Sequence, residues 1–155
     1  MRPEIQCTYQ TVEPATSNEK NQTNVKIIQL FVENGQLTIG DKIYPIVYGD
    51  LYFVAAKQNY SITDTEEELV QSKIEVPAEF LKEMAKMLDF EKEYQQIFEA
   101  QGGFHVASPR YKAIDQRFKE AAGVFNKDKS FAEALFFSRV LELLNYAVVT
   151  IKKTT

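Results

Sequence analysis

The chain has 155 residues, enough for one domain with a sizeable core, and its 45% hydrophobic and 26% charged content is that of a folded rather than a disordered protein. Its net charge is -4 and its 18 basic residues are scattered, so the concentrated basic stripe of a direct nucleic-acid binder is missing. A single cysteine, Cys7, excludes an internal disulfide and fits a reducing compartment. With no basic-then-apolar leader pattern and apolar runs that fall short of a membrane span, the expected location is cytoplasmic.

In chain order, residues 1–24 are polar, carry Pro3 and Pro14, and suit an N-terminal arm, a tail or a ragged first strand. The first boundary falls at the end of this arm. VKIIQLFV (25–32) is β-branched and apolar, and it runs into Asn34-Gly35, a hairpin signal because both residue types accept positive φ. QLTI, Gly40-Asp41, KIYPIVY, Gly49-Asp50 and LYFVAAK follow, and LVQSKIEV (69–76) closes the series. Turns this close together predict an antiparallel meander or barrel over 25–76, with no room for helical crossovers.

Pro77 changes the regime. Phe80, Leu81, Met84, Met87 and Leu88 recur at helical spacing, as do Tyr94, Ile97 and Phe98. Gly102-Gly103 breaks the pattern, and Ser108-Pro109 suits a helix start. Tyr111, Ile114 and Phe118 form the next stripe, with Gly123 as the expected stop. A last helix carries Phe136, Val140, Leu143, Leu144, Ala147, Val148 and Ile151 on one broad face, with Phe137 and Leu141 beside it. Residues 77–155 are therefore a helical part of the same domain, and the fold class is α+β.

Catalytic and metal patterns are scarce. The one histidine, His105, falls between helices and reads as a loop residue, and one His with one Cys is too few soft ligands for zinc. The acidic run Asp64-Thr65-Glu66-Glu67-Glu68 reads as a solvated loop, and the Glu residues of 82–99 alternate with Lys as an exposed face does. Phosphate-binding glycine patterns are absent. No metal, no cofactor and no enzymatic activity are expected.

The segment 30-LFVENGQLTIGDKIYPIVYGDLYFVAAKQNYSI-62 resembles the cupin-type sensory domain of AraC-type bacterial transcription regulators. Asn34-Gly35, Ile39-Gly40, Tyr44 and Gly49-Asp50-Leu51 occupy the turn and aromatic positions of that pattern. The similarity extends through Pro77-Ala78-Glu79-Phe80 to the last helix, roughly residues 25 to 151. Departures are Tyr48 for a Pro before the Gly-Asp turn, Ala55-Ala56 for a Pro pair, and Tyr60 for a histidine. The His/Glu metal set of enzymatic cupins is missing.

The resemblance implies a cupin-like jelly-roll barrel followed by C-terminal helices. It implies a small effector, sugar-like in the arabinose-binding relative, held in the barrel, and a homodimer formed through the helices. DNA would be contacted only through a helix-turn-helix part beyond residue 155, and no membrane is involved. Transferred positions place the ligand against Tyr60, Ile62, Gln71 and Lys73, and strand alternation adds Phe31 and Tyr52 as neighbours. The open alternative is that Gln71, Lys73 and Glu75 face water on a one-sided sheet. The expected dimer seam is Phe137, Val140, Leu141, Leu144 and Val148, because the last helix has more apolar surface than a terminal helix needs. The competing functions are a metal-free isomerase-type enzyme using Tyr, Lys73 or Glu75 as acid and base, and a stand-alone interaction module.

Overall fold

The computed structural model describes residues 4–12, 22–65, 68–99, 102–107, 109, 111–127 and 130–154. In chain order its elements are β1 (Gln6–Val12), β2 (Asn24–Leu30), β3 (Gln36–Ile39), β4 (Lys42–Pro45), β5 (Leu51–Val54), β6 (Tyr60–Thr63), β7 (Val70–Pro77), α1 (Ala78–Met87), α2 (Glu91–Phe98), β8 (Phe104–Val106), α3 (Tyr111–Phe125) and α4 (Ala132–Thr154). The β-branched run in β2 is buried at every residue because it is the central strand of a five-stranded sheet, β1-β7-β2-β5-β8. A second sheet has the order β4-β3-β6. All the pairings are antiparallel, as the short turns require.

The fold is α+β in three layers: the small sheet, the large sheet and the helices. Alternation along each strand of the large sheet feeds two separate cores. Val25, Ile27, Leu51, Phe53, Ile74 and Val76 pack with the helical residues Leu81, Ile97, Phe118, Phe136, Val140 and Leu143. Ile28, Leu30, Tyr52 and Val54 point the other way and pack with Leu37, Ile39, Ile46, Tyr60 and Ile62 of the small-sheet side. Among the described residues these sheets are not hydrogen-bonded into one closed barrel.

Several expectations change. Gln6–Val12 is an edge strand paired with β7, so part of the expected arm contributes to the sheet, with Ile5 in the core. His105 is in strand β8, paired with β5, rather than in a loop. Gly123 lies inside α3, where a Cβ would meet nothing. In α1 the buried positions are Ala78, Leu81 and Ala85, with the two alanines flanking the one large side chain it buries. Met87 and Leu88, expected on the buried stripe, are 77% and 54% exposed. By length and composition the stretch Ala132–Lys153 is apolar enough to cross a membrane, against the sequence expectation. Its Phe136, Val140, Leu143 and Ala147 are packed in the helix-side core, as in a core helix. The Ser108 cap, Glu66, Glu67 and residues 13–21 of the arm lie outside the described residues.

Candidate functional site

The space between the two sheets is the candidate site, because polar side chains are directed into it from an otherwise apolar sheet. The alternation of β7 turns Ile74 and Val76 to the helices, and Gln71, Lys73 and Glu75 to the inter-sheet side. These three pair with Leu30, Ile28 and Lys26 of β2, and Ile28 and Lys26 in turn pair with Tyr52 and Val54 of β5. Tyr52 pairs with His105 of β8. A row Lys73–Ile28–Tyr52–His105 thus crosses the large sheet, facing Leu37, Ile39, Tyr44, Tyr60 and Ile62. Gln71 and Glu75 are buried and Lys73 is half-buried, which overturns the alternative that all three face water.

Gln71 is the most informative of these groups. It is fully buried, and among the described residues neither its Nε2 nor its Oε1 has a hydrogen-bond partner. Leaving a buried amide unmatched costs on the order of 1–3 kcal/mol, a cost that a polar partner seated beside it would offset. Lys26 is also buried, and burial lowers its ammonium pKa while Glu75 opposes that shift. Among the described residues the buried Tyr52 hydroxyl makes no hydrogen bond of good geometry, its close polar neighbour being the Val47 backbone. Burial, then the Asp50 charge, push its pKa up, and the nearby Val47 backbone opposes them.

At the β8 end, the Gly49-Asp50 corner supplies a second polar group. Gly49 (φ +86) is held by its amide on Leu30 O at 2.7 Å, and a Cβ there would strike Tyr111 at 2.3 Å. The turn directs Asp50, buried, onto His105, with Oδ2 2.7 Å from Nε2. The imidazole stacks on Tyr52 (4.8 Å, 18°) and lies 5.5 Å from the Tyr44 ring. The Tyr44 hydroxyl donates to Gly102 O at 2.9 Å.

Of the six transferred or neighbouring positions, Tyr52, Tyr60, Ile62, Gln71 and Lys73 come together on the inter-sheet side. Phe31 does not: it follows the last residue of β2 and packs edge-on against Tyr48 at 5.6 Å, which packs on Tyr111 at 5.3 Å. Asp50, His105, Tyr44 and Lys26 were not assigned to a site from the sequence, where His105 read as a loop residue and Asp50 and Tyr44 as turn and aromatic positions. The apolar–polar–apolar triplet Phe104-His105-Val106 was the available signal for a strand with His105 on its own face. In the expected dimer seam, Phe137, Val140 and Leu144 are buried within their own chain and so removed from its surface. The broad apolar face they form is filled by the helix-side core. Leu141 and Val148 stay half-buried, and Leu135 and Val149 are exposed.

The concavities found among the described residues lie away from this inter-sheet space. A cleft of about 290 Å³ runs from Ala55 and Lys57 to Glu79, Tyr94 and Glu99, and an open groove of about 440 Å³ is lined by Arg117, Leu141, Glu142, Asn145 and Tyr146. Among the described residues no three His, Cys, Asp or Glu side chains are grouped to hold a metal ion.

No protein-family model and no curated protein matches the sequence. The fold is similar to the solved structure of the AraC-like transcriptional activator CuxR, with a TM-score of 0.55 and 8% identity over 86% of this chain. The chain spans about half the length of that protein, 47%. At this identity the similarity is one of fold.

Proposed function

We propose that the chain is the effector-sensing part of an AraC-related transcription regulator, taking a small molecule between its two sheets and leaving it unchanged. The fold similarity to an AraC-like activator supports the class, and the two facing sheets are read as an opened cupin-type jelly roll. The observation that carries the ligand site is Gln71, a buried amide with a donor and an acceptor both unmatched. Lys73 adds a charge, Tyr52 and Tyr60 add ring faces, and Ile62 adds apolar surface, a set suited to a small polar ligand such as a sugar. Neither metal nor cofactor is required, and the location is cytoplasmic. DNA contact belongs to a further part of the whole protein, and two copies associate through the outer side of α4 near Leu141 and Val148. Leu141→Glu is expected to convert the dimer to monomer in light scattering.

The direct experiment is a thermal-shift screen of sugars, amines and aromatic acids. A ligand at a hundredfold its dissociation constant adds about 2.7 kcal/mol of stability. Gln71→Leu should abolish that gain while stabilising the free protein by on the order of 1–3 kcal/mol, since it removes an unmatched buried amide. A Gln71→Leu protein that keeps the ligand shift overturns the placement. A second reading, metal-free acid–base catalysis, is favoured by the Asp50–His105 pair beside the Tyr52 phenol. Mass spectrometry of the ligand recovered after incubation separates the two, because a sensor returns it intact.

A further inference from the structure

The Asp50–His105 pair lies outside the residues assigned to the ligand above, and its role in recognition rests on the sensing function proposed for the chain. A carboxylate only accepts hydrogen bonds, so the imidazole donates from Nε2 to Asp50 Oδ2, 2.7 Å away. In the neutral ring this fixes the tautomer and leaves Nδ1 as an acceptor. Among the described residues the remaining contacts of His105 are ring contacts, with Tyr52 at 4.8 Å and Tyr44 at 5.5 Å. Tyr44 is tied to Gly102 O, so the stack is anchored on both sides. The His105 side chain is 26% exposed, and it stands where the edge strand β8 meets the inter-sheet space. Beside it is the buried Tyr52 hydroxyl, which lies near the Val47 backbone and among the described residues makes no other hydrogen bond.

We propose that His105 Nδ1 and the Tyr52 hydroxyl form a recognition subsite at the β8 rim, which selects ligands bearing a hydrogen-bond donor, a hydroxyl or an ammonium group. Asp50 is its positioning residue: its carboxylate holds the imidazole so that the accepting nitrogen is the one left open. Gln71, which both donates and accepts, cannot by itself tell a donor-bearing ligand from an acceptor-only one of the same shape. His105 supplies that discrimination.

Because the chain has one histidine, long-range proton–nitrogen NMR reads its two ring nitrogens without ambiguity. With the ring neutral, the Nε2–H tautomer is expected. D-ribose, as the hydroxyl probe, or ethylamine, as the ammonium probe, should shift Nδ1 upfield, and acceptor-only dimethoxyethane should leave it in place. Response to one donor probe and not the other identifies the donor type. An Nδ1–H tautomer overturns the proposal. Probes that move the Gln71 side-chain amide signals and leave Nδ1 unmoved also overturn it, while the sensing site stands. If neither signal moves, both fall. Asp50→Asn should lose the Nδ1 response and keep that of Gln71, since an amide can donate as well as accept and no longer fixes the tautomer. If that variant does not fold, His105→Phe keeps the ring stack. It should then lose the preference for donor-bearing probes, read at Gln71, and a preference that survives overturns the proposal.

Discussion

The two faces of the five-stranded sheet are built from the same strands under the same alternation, yet they are made of different material. The helix face presents Val25, Ile27, Leu51, Phe53, Ile74 and Val76 to a continuous apolar core. The inter-sheet face has Ile28, Leu30 and Val54, but interleaves them with Lys26, Tyr52, Gln71, Lys73 and Glu75. Burial is deep on both, so exposure to water does not explain the polar residues. A face selected for stability alone would have replaced them, and polar groups held at this depth are what the proposed ligand site requires.

Truncation on the helix face tests this most severely. Phe136 is fully buried among Phe125, Phe137 and the sheet. Phe136→Ala should cost about 3–5 kcal/mol in urea unfolding, the range for emptying a packed aromatic site. Gln71→Leu on the opposite face should have the opposite sign. If both destabilise by similar amounts, the two faces do the same job and the comparison breaks.

The seam between the layers gives the next effect. Gly103 has φ +76, and a Cβ there would lie 2.9 Å from Ile39 Cδ1 of the small sheet and 2.9 Å from Phe53 O of the large one. Gly103→Ala therefore meets backbone on one side and core on the other. It should destabilise by on the order of 1–3 kcal/mol through strain at positive φ. Calorimetry would show the loss, and an unchanged midpoint would mean that the two sheets are free to separate there.

The β-rich character of 25–76, the corner at Gly49-Asp50 and the change to helix at Pro77 were legible, because each depends on neighbours within a few residues. Asn34-Gly35, read as a hairpin, instead carries the chain from β2 in the large sheet to β3 in the small one, and the two do not pair. A period of two likewise shows that Gln71 and Lys73 share a face, as do Tyr60 and Ile62, whereas their choice as ligand positions came from the family resemblance. What could not be read is which face of a strand meets helices and which meets the small sheet, for that depends on partners distant in sequence. His105 shows the difficulty: three residues between two helices become a strand only because β5 offers an edge to pair with. The surplus apolar surface of α4 misled for the same reason, since Phe137, Val140 and Leu144 are covered by parts of the chain far away.

A titration gives a smaller effect, again on the helix side. Burial raises the Cys7 thiol from 9.0 to about 12, and Tyr94 rises from 10.0 to about 12 through burial, then Glu99 and Glu79. In each case the folded state holds a proton that the unfolded chain gives up earlier. Their contributions are complete below pH 9.0 and 10.0 respectively, and are lost as pH rises through about 12. Lys26, lowered by burial, acts in the opposite sense: its charged form is the disfavoured one, so deprotonation relieves the fold as pH rises toward 10.5. The urea midpoint should fall on alkaline titration, and Cys7→Ala should remove the portion of the fall that begins at pH 9. An identical slope between pH 9 and 10 in Cys7→Ala would exclude the thiol.

The smallest effect belongs to the most visible charge cluster. On α3 and α4, Arg117 meets Glu120 at 2.9 Å and also Glu142, while Arg139 meets Glu142 at 2.5 Å and Glu120 at 3.5 Å. All four side chains are 30–39% exposed, so water and salt screen them and compete for their hydrogen bonds. Arg139→Ala should change stability by about 1 kcal/mol or less, and the difference should shrink in high salt. Lys26 and Glu75 are charges of the same kind placed on the inter-sheet face, where water is largely excluded. Removing one partner there should cost more and respond less to salt. Burial rather than the number of ion pairs then separates the face proposed to take a ligand from the one that faces solvent, and equal salt dependence in Arg139→Ala and Glu75→Gln would remove that distinction.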